Sequence, residues 1–162
     1  MKIYQVLFAN NRDFAIFYND REIGRVEYAK WYSSNPDFKT SDGTVFKIKL
    51  KSFWKGTQEV LKNNSPWMIL NSGFTGHTLM PYGKEYHFYK IRGRGGFKSG
   101  FIIENYKGEK LAELSVKFTF KKFNTVYSIE AIEGYGETEP EQFLLFLMVY
   151  YYREQKRIAA AG

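Results

Sequence analysis

Apolar and polar residues alternate along much of this chain with a period of two, which is typical of β-strands with one buried and one solvated face. The runs FKIKLK at 46–51 and VKFTFKK at 116–122 show the pattern most clearly. It predicts that the following side chains point into a core: Phe46, Ile48, Leu50, Val116, Phe118 and Phe120. The lysines and the threonine between them are predicted to face solvent.

Turn-forming residues interrupt the strand-like runs at intervals of about ten residues, a rhythm that is typical of an antiparallel meander or barrel. The segment FAIFYNDREIGRVEYA predicts a hairpin that turns at Asn19 and Asp20. The segment GFIIENYKGEKLAELSVKF predicts another that turns around Lys107 and Gly108. The stretch 56–65, GTQEVLKNNS, is interpreted instead as a short helix.

The run FLLFLMVYYY at 143–152 predicts a buried helix near the end of the chain. Thr138 is a good N-cap, Pro140 suits a first turn and Glu141 completes a capping box, so the helix is expected at about 139–157. Ten apolar residues cover only about 15 Å of helix, half of a bilayer core, so no transmembrane span is predicted. Because the apolar residues cover every side, the helix is expected to be buried all round.

Together these elements predict one mainly β domain over residues 1–162. Its fold class is an antiparallel β-barrel of roughly 10 to 12 strands around the hydrophobic C-terminal helix. Two alternatives remain open at this point. One is a lipocalin-like barrel with the helix outside, which requires a polar helix face that this sequence lacks. The other is a β-sandwich whose helix inserts into a partner.

The order of elements resembles that of the tubby C-terminal-like superfamily, which includes the plant LURP-one-related proteins and the phospholipid scramblases. The resemblance lies in hairpins such as ENYKGEKLA, the last strand TVYSIEAIE and the apolar helix that follows it. It covers nearly the whole chain and is architectural. It implies binding of phosphoinositide head groups by Lys and Arg on the outer barrel wall. The calcium segment of the scramblases has no counterpart in this sequence.

Composition narrows the functional classes. The chain has no cysteine, which excludes disulfides, thiolate chemistry and zinc sites that contain cysteine. Its formal net charge of +7 predicts attraction to phosphates, acidic proteins or anionic lipid surfaces. The start, MKIYQVLFANNRDF, does not read as a secretory signal, so a cytoplasmic protein is expected, with peripheral association to a membrane if its ligand is a lipid.

Two groups of basic residues are candidates for anion binding. They are Lys47, Lys49, Lys51, Lys90, Arg92, Arg94 and Lys98. The last four lie in KIRGRGGFKSG at 90–100, where the glycines predict a hairpin tip. Two interpretations of its charges stay open: they are solvated at a surface loop, or they grip a phosphate together with the backbone amides. The spacing is not that of a P-loop. Trp54, flanked by lysines, is the candidate aromatic contact for a lipid interface or a nucleobase.

Residues for catalysis are few. His77 and His87 are the only histidines, and their surroundings contain no metal-binding or catalytic motif, so neither a metal nor a cofactor is predicted. The sequence therefore favours a non-enzymatic binding module whose ligand is a phospholipid head group or an acidic protein partner. A nucleic-acid-binding protein is the first alternative. An enzyme with a site near His77 or His87 is the second.

Overall fold

The fold is described from a computed structural model of the chain, for residues 1–30, 35–52, 56–96, 98–120 and 124–161. Within these residues the chain forms twelve strands and one helix. The strands are β1 (Lys2–Phe8), β2 (Phe14–Tyr18), β3 (Arg21–Glu27), β4 (Asp37–Thr40), β5 (Val45–Ser52), β6 (Thr57–Lys62), β7 (Ser65–Gly73), β8 (Gly76–Pro81), β9 (Tyr89–Gly93), β10 (Phe101–Asn105), β11 (Lys110–Thr119) and β12 (Asn124–Ala131). The helix, α1, is Glu139–Ala161.

The strands form a closed antiparallel barrel in which each strand pairs with its neighbours in sequence. The ring is closed by β1 and β12, whose register runs from Lys2 opposite Ala131 to Val6 opposite Tyr127. Closure removes the free edges that an open sheet would expose. The predicted fold class is confirmed: the chain is mainly β, and its strands form a single barrel.

Because neighbouring strands are antiparallel, the connections alternate between the two ends of the barrel. Those that follow odd-numbered strands share one end with the last turns of α1, where the Arg153 guanidinium donates to the Asn11 carbonyl oxygen over 2.6 Å. We call this end the mouth. Those that follow even-numbered strands share the other end with the start of α1, where the Thr44 hydroxyl donates to the Glu139 carboxylate over 2.9 Å. We call this the far end.

Both predicted hairpins are confirmed, but the helix predicted in the segment between them is not. Asn19 and Asp20 adopt φ of 49° and 63°, and Gly108 adopts a φ of 78°, as tight turns require. The short helix interpreted at 56–65 is wrong, because this stretch forms β6 and the turn at Asn63 and Asn64. Pairing with β5 on one side and with β7 on the other outweighs the local preference of this segment for a helix.

The helix begins where its capping signal predicts. The Glu141 backbone amide lies 3.4 Å from the Thr138 hydroxyl, and the Thr138 amide donates to the Glu141 carboxylate over 3.3 Å, which completes the capping box. The helix ends at Ala161, beyond the end expected near 157. Among the described residues, no helix combines the length and the apolarity that crossing a bilayer requires.

The apolar run of α1 fills the lumen of the barrel. Every residue in 143–149 is fully buried. The Phe143 ring packs against Phe38 on β4 and Phe46 on β5, with centroids 5.3 and 4.9 Å apart. Further along the helix, the Tyr152 ring packs edge-on against Phe101 on β10, with centroids 6.0 Å apart. Strands from widely separated parts of the ring therefore contact the helix, which lies inside the barrel as its uniform hydrophobicity predicts.

The predicted inward faces of the strands are correct near the helix and wrong toward the mouth. On β5, Phe46 and Ile48 are buried, but Leu50 is 52% exposed. At the end of β11, Phe118 is 53% exposed and Phe120 is 79% exposed. Apolar and polar residues keep alternating to the ends of these strands, but the strands extend beyond the packed interior of the barrel. The last apolar side chains are therefore exposed.

Candidate functional site

Charge is divided unequally between the two ends of the barrel. The connections at the far end carry Asp20, Asp42, Glu85, Glu109, Glu133 and Glu137 against Lys84 and Lys107. The described parts of the mouth connections carry Arg12, Lys30, Arg94 and Lys98 against Asp13, and the last turns of α1 add Arg153, Lys156 and Arg157 against Glu154. An anionic partner is therefore attracted toward the mouth.

A recess of about 610 Å³ opens at the mouth between α1 and two neighbouring connections. One wall is the turn between β7 and β8, and a second is the glycine-rich connection 94–100 between β9 and β10. The third is the helix, through residues that include Tyr151, Tyr152 and Lys156. We call this space the mouth recess. Its volume is in the range of pockets that hold small ligands.

The glycine-rich connection exposes bare backbone beside the recess. Gly95 and Gly96 have φ of 83° and 63°, a left-handed conformation that favours glycine, and a Cβ on either would meet no atom within 4 Å. Arg94 shapes the connection by donating to the Glu113 carboxylate over 2.7 Å and to the Ser99 carbonyl oxygen over 2.9 Å. The Arg94 charge is thus already paired, and its role is to hold the loop.

Two lysines give the mouth recess its charge. Lys98 is exposed and has no ion-pair partner among the described residues. The Lys156 ammonium lies 5.5 Å from the centroid of the Tyr152 ring, a cation–π distance. No aspartate or glutamate is among the described residues that line the space. The described lining therefore carries a net positive charge, and none of its residues is a carboxylate that would compete with an anionic ligand.

The inner part of the recess is polar but uncharged. The His77 ring stacks face to face on Tyr151, with centroids 3.5 Å apart, and its Nδ1 lies 2.8 Å from the Ser72 hydroxyl. Burial lowers the pKa of His77 to about 4, so the ring is neutral at neutral pH. The Tyr151 hydroxyl oxygen is buried near Ser72, and burial raises its pKa. Both rings are therefore uncharged at neutral pH.

We expect His77 to make the folded state sensitive to acid. Its folded pKa of about 4 lies below the ordinary value of 6.5, so between these pH values the unfolded chain binds a proton that the folded chain does not. The stability contributed by the neutral ring is complete above pH 6.5 and is lost as the pH falls toward 4. After discounting for solvent screening, the loss is on the order of 1 to 2 kcal/mol.

Urea unfolding at pH 7 and at pH 4.5 measures this loss, with His77→Phe as the comparison because it keeps the stacked ring. The variant is expected to lose less free energy of unfolding between the two pH values than the wild-type chain. Carboxylates titrate in both proteins and cancel in the difference. Equal losses in the two proteins would mean that burial does not perturb His77.

The lysines predicted on β5 lie on the outer wall of the barrel. Lys47 pairs with Asp37 over 3.8 Å, and the Lys51 ammonium donates to the Tyr82 hydroxyl over 2.8 Å. Lys49 is exposed. Hydrogen bonding to Tyr82 raises the pKa of Lys51, which favours its charged form. Two of the three cations are thus already engaged with neighbours on the wall.

The basic residues predicted on β9 do not join those on β5. Lys90 and Arg92 lie on a strand that β6, β7 and β8 separate from β5 in the ring. Arg92 is bound by Glu104, with its guanidinium 2.6 Å from the carboxylate. The predicted cations therefore belong to separate surfaces, and of the seven candidates Arg94 and Lys98 line the mouth recess. Trp54 lies outside the described residues.

The two histidines are far apart. His77 begins β8 beside the mouth, whereas His87 lies in the connection after β8 at the far end, between the rings of Tyr86 and Tyr106 at 4.3 and 4.7 Å. A groove on the other side of α1 does place His77 near Glu154. That carboxylate is bound by Arg157 over 2.7 Å. Among the described residues, no group of three potential ligands is placed to hold a metal ion.

The carboxylates near the helix start have structural partners. Glu139 accepts from Thr44 and pairs with Lys62 over 2.5 Å. Glu141 caps the helix through Thr138 and also accepts from the Gly136 amide over 3.2 Å. Both carboxylates also lie at the helix N-terminus, where negative charge is favourable.

Sequence reasoning missed three contributors to the site, Phe74, Tyr151 and Lys156. The sequence places Tyr151 in the apolar run of the helix and Lys156 in the polar residues after it, and neither pattern indicates a binding site. The position of Lys156 could have been inferred, because a helix that is buried up to residue 152 must expose its next turns to solvent at the barrel mouth. Phe74 follows the residues Asn-Ser-Gly, and this local sequence does not show that its ring is fully exposed.

Comparisons of the chain with protein-family models, with curated proteins and with solved structures return no match. The resemblance to the tubby C-terminal-like superfamily therefore stays an expectation from the order of elements.

Proposed function

We propose that this chain is a binding module for an anionic ligand and that the mouth recess is its binding site. The observation that carries the proposal is the lining of the recess, which presents Lys98 and Lys156 with no described carboxylate, while Arg94 is already paired with Glu113 behind the loop. The space at the far end, by contrast, is lined by Lys2 and Arg21 together with acidic residues. The ligand group is a phosphate or a carboxylate, carried by a phospholipid head group or by an acidic protein partner.

The residues have separable roles in this proposal. The flexible ammonium groups of Lys98 and Lys156 approach the anion from the loop side and from the helix side. The bare backbone at Gly95 and Gly96 allows a ligand to come close without a side chain in its way. Arg94, held by Glu113, keeps the loop in position.

The double variant Lys98→Ala with Lys156→Ala is expected to weaken binding of inorganic phosphate by about tenfold or more, the effect of losing charge-assisted contacts of about 1.4 kcal/mol in total. Titration of the protein with phosphate, followed by NMR or calorimetry at fixed ionic strength, measures it. Both side chains are exposed, so thermal stability should stay the same.

A matched control is Lys84→Ala with Lys107→Ala. It removes the same charge from the far end, and Lys107 also lies over a tyrosine ring, 5.7 Å from the centroid of Tyr106. Phosphate affinity should be nearly unchanged in this control. An equal loss in both double variants would show that only net charge matters, and the assignment of the recess would be wrong.

A further inference from the structure

The exposed aromatic residues are sorted between the two ends of the barrel. Phe74, Phe118 and Phe120 are exposed at the mouth, whereas the exposed tyrosines of the described residues, Tyr82, Tyr86 and Tyr106, lie at the far end. A phenol ring carries a hydroxyl that water can bind, but a phenylalanine ring does not. Among the described residues, the exposed rings at the far end can therefore hydrogen-bond to water through their hydroxyls, whereas those at the mouth are purely apolar.

The hairpin of β11 and β12 projects out of the barrel core. Along the inward side of β11, Leu114 is fully buried, Val116 is half-buried, Phe118 is 53% exposed and Phe120 is 79% exposed. The last two rings pack edge-on with centroids 5.1 Å apart, so they form one apolar tip. The two rings of this tip lie on the same side of the strand as the core residues, but beyond the end of the barrel interior, so no other part of the described structure covers them.

Two apolar tips flank the glycine-rich connection in the ring of strands. Phe74, with its side chain fully exposed, lies in the turn between β7 and β8, and the β11–β12 hairpin carries the other tip. The connection between β9 and β10 lies between them and forms a wall of the mouth recess. Ile158, 64% exposed on the last turns of α1, adds an apolar side chain at the same end.

Basic residues accompany these tips. Lys117 lies next to Phe118 and is exposed, with no ion-pair partner among the described residues. Lys98 and Lys156 lie in the recess between the tips. Apolar side chains surrounded by lysines are suited to the interface of a bilayer, where rings enter the acyl boundary and ammonium groups remain among anionic head groups.

We propose that the mouth docks on a lipid bilayer, with Phe74 and the Phe118–Phe120 tip entering the interface on either side of the mouth recess. A bilayer fits these observations better than a protein surface, because the tips are separated by about a third of the strand ring rather than joined in one flat patch. A rigid protein partner would need a matching hollow for each tip. This inference deepens the proposed function by naming the surface that carries the anionic group, but it rests on the apolar tips.

The test uses the full chain and sedimentation with vesicles of phosphatidylcholine alone or mixed with phosphatidylserine. The triple variant Phe74→Ser, Phe118→Ser, Phe120→Ser is expected to lower the partition onto mixed vesicles by about tenfold or more, since each ring contributes interfacial burial. The control, Tyr86→Ser with Tyr106→Ser, removes exposed rings from the far end and should bind as the wild-type chain does. Thermal melting checks that all variants remain folded.

The outcomes separate this inference from the proposed function. Loss of vesicle binding in the triple variant supports docking by the tips. The double variant Phe118→Ser, Phe120→Ser, which leaves the recess lining intact, should lose part of the vesicle partition while its phosphate binding stays unchanged. Wild-type partition of the triple variant overturns it. A chain that binds inorganic phosphate but no vesicles also overturns docking and leaves the recess assignment standing. Equal partition onto neutral and mixed vesicles, lost in the triple variant, supports docking and contradicts the anion site.

A depth measurement tests insertion itself. Phe120→Trp is expected to bring a fluorophore into the interface, where phosphatidylcholine with brominated acyl chains quenches it. Tyr86→Trp at the far end should gain no such quenching. The same low quenching in both variants would mean that the mouth adsorbs by charge alone, and insertion of the tips would be wrong.

Discussion

Leu145→Asp is expected to leave the chain unfolded under conditions in which the wild-type chain is folded. Leu145 is fully buried at the middle of the helix that fills the barrel. An aspartate there buries a charge or a protonated carboxyl without a partner, and it also removes apolar burial. We expect the free energy of unfolding to fall by more than about 4 kcal/mol. This is a large part of the 5 to 15 kcal/mol that typically stabilises a domain. Circular dichroism and urea unfolding measure the result.

The same substitution further along the same helix provides the control. Ile158 is 64% exposed, so Ile158→Asp should change the free energy of unfolding by no more than about 0.5 kcal/mol. A Leu145→Asp chain that stays folded, with sharp tertiary signals, would contradict the position of the helix inside the barrel.

Gly24→Val is expected to be the second most damaging change. Gly24 is on β3 with its Cα facing the helix, and a Cβ added there would collide with the Lys39 carbonyl oxygen and with the Phe146 ring. The carbonyl belongs to the paired strand β4 and cannot move without breaking the ladder. Phe146 is fully buried and has little room to retreat. We expect the free energy of unfolding to fall by about 3 kcal/mol or more, at the upper end of the destabilisation that overpacking a core causes.

A drop in the melting temperature measures this loss. Gly73→Val at the end of β7 is the matched control, since a Cβ on Gly73 would meet no atom within 4 Å. If the two variants melted at the same temperature, the close approach of the helix to β3 would be wrong.

The architecture was predictable because local and global signals agree in this chain. The capping box at Thr138 and Glu141 fixed the start of the helix, and the apolar residues on all its sides required burial. Turn residues at Asn19 and Asp20 set the first hairpin. The error at 56–65 arose because a segment with mixed propensity became a strand once two neighbours were available for pairing.

The candidate site was predictable only in part, since it is assembled from distant segments. The glycine-rich connection was recognised, but its partners are a turn about twenty residues earlier and a helix about fifty residues later. Sequence could not show that Arg92 and Arg94 are already bound by Glu104 and Glu113, because those pairs form across strands. Nor could alternation alone reveal that β11 extends beyond the core.

The contact between the first strand and the last has a consequence for how the chain acquires its fold. The β1–β12 pair joins residues more than a hundred positions apart, and the helix that fills the lumen follows every strand in sequence. The strands therefore have no interior to pack against until the final segment has been made. Barrel closure and helix burial both depend on contacts between distant segments, so we expect these two steps to be slow and to occur together.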